Sequence, residues 1–232
     1  MTGDDAEAIA WRASSESGLD DRPDCDPCVL AAAYLEMELA PVQGATPHIN
    51  GRRIIYPAGE PPDAVAYYVG HEVGHVLVRE EYPGLDGEVE EQAASRVGVA
   101  LVLPRRAYLR DLGTVGWDLD ALRLLWPLAS LWIHARRIAE VTSGAIASRW
   151  TRTRCVDRVI TEGIGEPSPF ATPAEYALAR AAMRSGAVES SDRMRAWPTT
   201  TGAIVLCDVE ELRETADRSM RLGRTAPRIT RR

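Results

Sequence analysis

Residues 71–75 read His-Glu-Val-Gly-His and hold two of the four histidines in the chain. Residues four apart on an α-helix lie about 40° from one another around its axis. His71 and His75 would therefore project from one face, at a spacing that lets both imidazoles share a tetrahedral metal ion. Glu72 is offset by about 60° from His75, so its carboxylate can reach a water beside the metal without being a ligand. Two ligands and one base on adjoining turns are what metal-assisted hydrolysis needs. Two buried histidines with ordinary hydrogen bonds would give the same five letters, but would need no third ligand nearby.

These residues must be carried by a well-packed helix. PPDAVAYYVGHEVGHVLVREE opens on prolines suited to a helix start at residues 61–63. Val65, Ala66, Val69, Val73, Val76 and Leu77 form a broad apolar arc beside the histidine face, which predicts burial on most sides. Gly70 and Gly74 each cost about 1 kcal/mol in helix propensity relative to alanine, and close approach of another backbone would explain them. A second helix, EVEEQAASRVGVALVL, follows the turn YPGLDG and is stopped by Pro104.

A catalytic metal site takes three protein ligands and leaves one position open. Glu88, Glu90 and Glu91 on the second helix are the available carboxylates. Glu90 points into the stripe of Val89, Ala93, Val97 and Ala100, whereas Glu91 lies at its edge beside Ala94 and Gly98. Periodicity alone does not choose between Glu90 and Glu91.

HEVGH followed by EQAASRVGVALVLP at 91–104 resembles the ImmA/IrrE metallopeptidases. In that register the ligand glutamate falls on Glu91, and the family's LLMP-like ending falls on Leu101, Val102, Leu103 and Pro104. The likeness covers roughly residues 25–150. Ser95 stands where the family usually has asparagine, and Val97 where an aromatic is common. The resemblance implies a zincin-like core in which His71, His75 and Glu91 hold one zinc ion per chain. Such an ion draws the pKa of water towards neutrality, with Glu72 as general base. Tyr68, three residues before His71 on the same face, is a candidate donor to the transition state; Arg105, Arg106 and Tyr108 are weaker ones.

Composition sets the wider frame. Acidic residues outnumber basic ones 34 to 27, for a net charge of −7, so nonspecific nucleic-acid binding by the whole chain is not expected. Every basic residue is arginine. The acidic start MTGDDAEAIA has no apolar signal core, and no apolar run approaches a membrane span; a cytoplasmic location is expected. The four cysteines do not suggest a disulfide framework. Cys25 and Cys28, in CDPC, have zinc-knuckle spacing, yet the better account is that Asp26-Pro27 opens a helix and Cys28 packs as a small apolar group.

Along the chain, residues 1–24 are polar and expected to be flexible. A helix is predicted over 26–40, a hairpin at Asn50-Gly51, and further helices at 105–112, 118–125 and 128–142. Strand-like ASRWTRTRCVDRVIT, helical TPAEYALARAAMRSG and strand-like RMRAWP and GAIVLC follow. A helix at 208–220 and an arginine-rich tail close the chain. His134 is expected to be packed or at the surface, and His48 exposed.

The predicted architecture is α+β. A mainly helical metallopeptidase core with a small β-hairpin or sheet spans 25–112, and a helical extension, helix-turn-helix-like at most, spans 113–150. A small α/β part occupies 151–220 and the tail 221–232. The resemblance implies a zinc metalloendopeptidase performing limited proteolysis of a specific protein, such as a repressor-type transcription factor, with direct DNA binding weak or absent and no membrane. The alternatives are a non-proteolytic regulatory protein that keeps the fold, and a zinc hydrolase with a non-peptide substrate.

Overall fold

The computed structural model describes residues 2–19, 26–161, 172–191 and 193–208. It is a mixed structure of helices and two sheets, in two compact units, 1–137 and 138–232.

The first unit opens with a helix, α1 (Gly3–Glu16), where a flexible segment was expected. The polar composition of this stretch hides a helical period: Ala6, Ile9, Ala10 and Ala13 are buried in the main core. Thr2 and Asp5 close a capping box at its start, satisfying backbone N–H groups that would otherwise be left unpaired. Arg12 to Glu81, Arg105 to Asp4 and Arg137 to Glu7 tie it down at 2.7, 2.8 and 2.5 Å.

The next helix is shorter than the predicted 26–40. Asp26 caps α2 (Pro27–Val29) through Cys28 N–H, and the chain widens into a π-helical turn over Leu30–Tyr34. Glu36 then takes φ 50°, and Glu38–Val42 leaves as a strand, β1, in place of the last helical turn. Pairing along β3 (Arg53–Pro57), with Pro41 disfavouring helical backbone at Ala40, outweighs the helix preference of Glu38, Leu39 and Ala40. The hairpin forms as expected between β2 (His48–Asn50) and β3, with Gly51 at φ 60° opening a two-residue loop. The strand order is β1-β3-β2.

Two long helices complete the core: α3 (Pro62–Glu81) and α4 (Gly87–Val102). Val69, Val73, Leu77 and Val78 of α3 pack with Ala93, Val97, Ala100 and Leu101 of α4, and Ile54 joins them from the sheet. Three shorter helices follow, α5 (Arg105–Val115), α6 (Leu119–Leu125) and α7 (Leu131–Val141). The division at 137/138 places α5, α6 and most of α7 with the first unit, so the helical extension expected at 113–150 is split.

Among its described residues, the second unit is an antiparallel sheet with one helix against it. The strands are β4 (Ala145–Trp150), β5 (Cys155–Ile160), β6 (Glu189–Ser191), β7 (Met194–Pro198) and β8 (Ala203–Asp208), in the order β5-β4-β8-β7-β6. The helix α8 (Pro173–Ser185) buries Ala179 and Ala182 with Ile146, Trp150, Val205 and Cys207. Residues 145–150, counted above with the helical extension, are thus a strand. Asp208, where the 208–220 helix was predicted to start, ends β8 instead; the rest of that helix, the arginine tail and Cys25 lie outside the described residues. No helix among the described residues is long and apolar enough to cross a membrane.

Candidate metal centre

The site stands where α3 and α4 come closest. A Cβ on Gly74 would lie 2.3 Å from the carbonyl oxygen of Ala94, and one on Gly98 would lie 2.9 Å from the carbonyl of Gly70 and from His71 N. Glycine at these places lets the two backbones meet, as the pair Gly70 and Gly74 foretold. Pro27 also packs on Gly70, so the start of α2 braces the turn that carries His71.

This proximity brings a carboxylate of α4 onto the histidine face of α3. Glu91 Oε1 lies 2.9 Å from His71 Nε2, and Glu91 Oε2 lies 3.2 Å from His75 Nε2. The two imidazoles stand nearly perpendicular, centroids 4.8 Å apart. One ligand atom from each of His71, His75 and Glu91 lies within 4.8 Å of the others, so the group can hold a metal ion. Two imidazole nitrogens and one carboxylate suit a divalent ion of the zinc type and leave coordination positions over. The histidine side chains are 16% and 12% exposed and that of Glu91 is 61% exposed, so the site opens to water on the α4 side.

The structure separates the two glutamates that periodicity left undecided. Glu91 faces both Nε2 atoms, while Glu90 accepts from the other nitrogen of His75, Nδ1, at 2.6 Å. Arg79 donates to the same Glu90 oxygen at 2.8 Å. Glu72 is buried. Burial pushes its carboxyl above the usual range, His75 pulls it back, and Glu91 raises it further. Burial also lowers the His71 imidazole below its ordinary value.

The other candidates fall as follows. The ring against His71 is that of Tyr67, at 6.4 Å and nearly parallel, whereas Tyr68 lies beside Tyr67. Burial is the first cause raising the Tyr68 phenol and Glu60 the second. Arg105 is engaged with Asp4 and Arg106 is exposed. Tyr108 is fully buried and stacks on His134, so it is closed to any substrate. His134 is a packed histidine, as expected. The Cys28 thiol is pushed up to about 12 by burial and by Asp26, consistent with a packed group.

Three neighbours take parts in the site that the sequence reading did not assign: Glu90 was weighed there only as an alternative ligand, His48 only as an exposed residue, and Arg136 not at all. Glu90 carried a signal, since a carboxylate pointing into an apolar stripe needs a partner. Arg136 donates to Ser95 Oγ at 2.8 Å, and its charge reaches His71. His48 is exposed as expected, yet its charge reaches Glu72. The last two depend on tertiary placement that helical period does not encode.

No family model matches the chain, and no curated protein matches it. Among solved structures, a Mycobacterium tuberculosis transcriptional regulator superposes with a TM-score of 0.66 at 13% identity, covering 88% of this chain and 76% of that one. At such identity the likeness concerns the fold.

Proposed function

We propose that this chain is a zinc metalloendopeptidase of the HExxH type, with a zincin-like core related to the ImmA/IrrE metallopeptidases. The observation that carries the proposal is the grip of one carboxylate, Glu91, on the Nε2 atoms of both His71 and His75, with Glu72 buried on the same turn. A structural zinc site would close the fourth position with another protein ligand; among the described residues only these three groups converge.

A divalent ion in this position supplies Lewis acidity, lowering the pKa of water and offsetting charge on a scissile carbonyl. The protein's own contribution is proton handling. Glu72 takes a proton from water on the open side and returns it to the leaving amine. A carboxyl raised by burial holds that proton better than an exposed one. Tyr68 is the proposed donor to the transition state, with Tyr67 holding the face of His71.

The substrate class is a specific protein cleaved at limited sites in the cytoplasm, and a repressor-type transcription factor fits best. The structural neighbour bears the description of a transcriptional regulator, which supports a regulatory setting. That same likeness favours the second proposal, a regulator that keeps the fold and acts by binding alone.

The test compares zinc-loaded wild type with Glu72→Gln in a lysate, reading new protein N-termini by mass spectrometry. N-termini made by wild type and missing with Glu72→Gln support proteolysis with Glu72 as base. Equal products from both remove Glu72 from that role. No product from either leaves binding as the function.

A further inference from the structure

The two histidines are not held alike. His75 is bound at both nitrogens, with Nδ1 2.6 Å from Glu90 Oε1 and Nε2 3.2 Å from Glu91 Oε2. His71 meets Glu91 through Nε2, while its Nδ1 is buried with no hydrogen-bonding partner among the described residues. Glu90 is itself fixed, because Arg79 donates to the same oxygen through Nε and Nη2, each at 2.8 Å. Arg79 sits one turn beyond His75 on α3, so the three groups form a row along one edge of the site.

We propose that Glu90, clamped by Arg79, is the positioning residue of the metal centre. Resting on the metal-site reading above, it commits His75 to bind through Nε2 and makes His75 the anchored ligand of the pair. The chemistry follows from the imidazole's two nitrogens. An imidazole ligates through the nitrogen that carries no proton, and a carboxylate accepting from Nδ1–H keeps the proton on the far side of the ring. The same bond fixes the ring's rotation about χ2 and makes Nε2 a better electron donor. An unclamped Glu90 side chain would sample several rotamers; the Arg79 fork removes that freedom before a metal arrives. His71 has no such support, so its orientation rests on Glu91 and on packing against Tyr67.

The role is separable from a structural one. Arg79 is 58% exposed, and Glu90, though only 16% exposed, is covered by its polar contacts and lies outside the hydrophobic core cluster, so their loss removes no core side chain. Zinc affinity is measured by competition with a chromophoric chelator on full-length wild type, Glu90→Ala, Glu90→Gln and Glu88→Ala, together with the melting temperature of each metal-free chain. Glu90→Ala is expected to bind zinc about 10–100-fold more weakly, at an unchanged metal-free melting temperature. Glu90→Gln, whose amide oxygen still accepts from Nδ1–H, recovers most of that affinity, and Glu88→Ala matches wild type. Wild-type affinity in Glu90→Ala overturns the role while leaving the metal site standing. So does a loss that Glu88→Ala shares, or one that follows a lowered melting temperature. A wild-type chain that takes up no zinc overturns the site and this role together.

Discussion

Gly74 and Ala94 meet backbone to backbone: a Cβ added to Gly74 would fall 2.3 Å from the Ala94 carbonyl oxygen. The contact sets the spacing of α3 and α4, and with it the reach of Glu91 to His71 and His75. Two effects compete in Gly74→Ala. Alanine gains about 1 kcal/mol in helix propensity, while overpacking a fixed interface costs about 1–3 kcal/mol. An overlap with backbone leaves no side chain to swing aside, so overpacking wins. Urea unfolding should show Gly74→Ala less stable than wild type, with weakened zinc binding. A more stable variant would mean that the helices are free to part.

Gly98→Ala probes the other end of the same seam, where the new Cβ would stand 2.9 Å from the Gly70 carbonyl and His71 N. The smaller overlap predicts a smaller loss of stability than for Gly74→Ala, again by urea unfolding. Equal or larger loss would place the tighter contact at His71.

His134 gives the first unit an acid-sensitive point away from the metal centre. The ring is fully buried, and burial, offset in part by the Trp126 backbone, lowers its pKa to about 4. The unfolded chain takes up this proton near the ordinary value of 6.5. Between those values the unfolded state binds more protons, so stability falls as pH drops. The full difference is about 3 kcal/mol, present above pH 6.5 and lost by about pH 4. His134→Gln should flatten this part of a stability-against-pH curve. An unchanged slope would place the acid sensitivity elsewhere.

Glu175 does comparable work in the second unit. Nearly fully buried, it accepts from Thr172 N at 2.6 Å, from Arg158 at 3.1 Å and from Ser148 Oγ at 3.2 Å. Glu175→Ala removes the carboxylate that bonds the Arg158 guanidinium, whose side chain is only 10% exposed. Breaking a buried pair on one side costs about 3–5 kcal/mol, readable by thermal unfolding. A loss well under 1 kcal/mol would show that water enters and replaces the carboxylate.

The strongest local signals were legible in the sequence. The proline starts and stops fixed α3 and α4, and Asn50-Gly51 marked the β2–β3 hairpin. The pair Gly70 and Gly74 announced a backbone approach whose partner was unnamed. What stayed hidden was tertiary in origin. Glu38–Val42 is a strand because β3 lies alongside it, which no local pattern records. The N-terminal helix looked flexible because its buried positions are mostly alanine, too small to raise the mean hydropathy. Glu90 and Glu91 could be told apart only once α4 was set against α3, since both lie on the flank that approaches the histidines.

Metal content per chain, by elemental analysis of wild type and Glu91→Ala purified alike and offered zinc, tests the central claim most directly. The account predicts about one zinc per wild-type chain and a weakened or empty site in the variant, since binding draws on all three ligands together. A folded wild type that refuses zinc, or a Glu91→Ala chain that holds it as tightly, would contradict it.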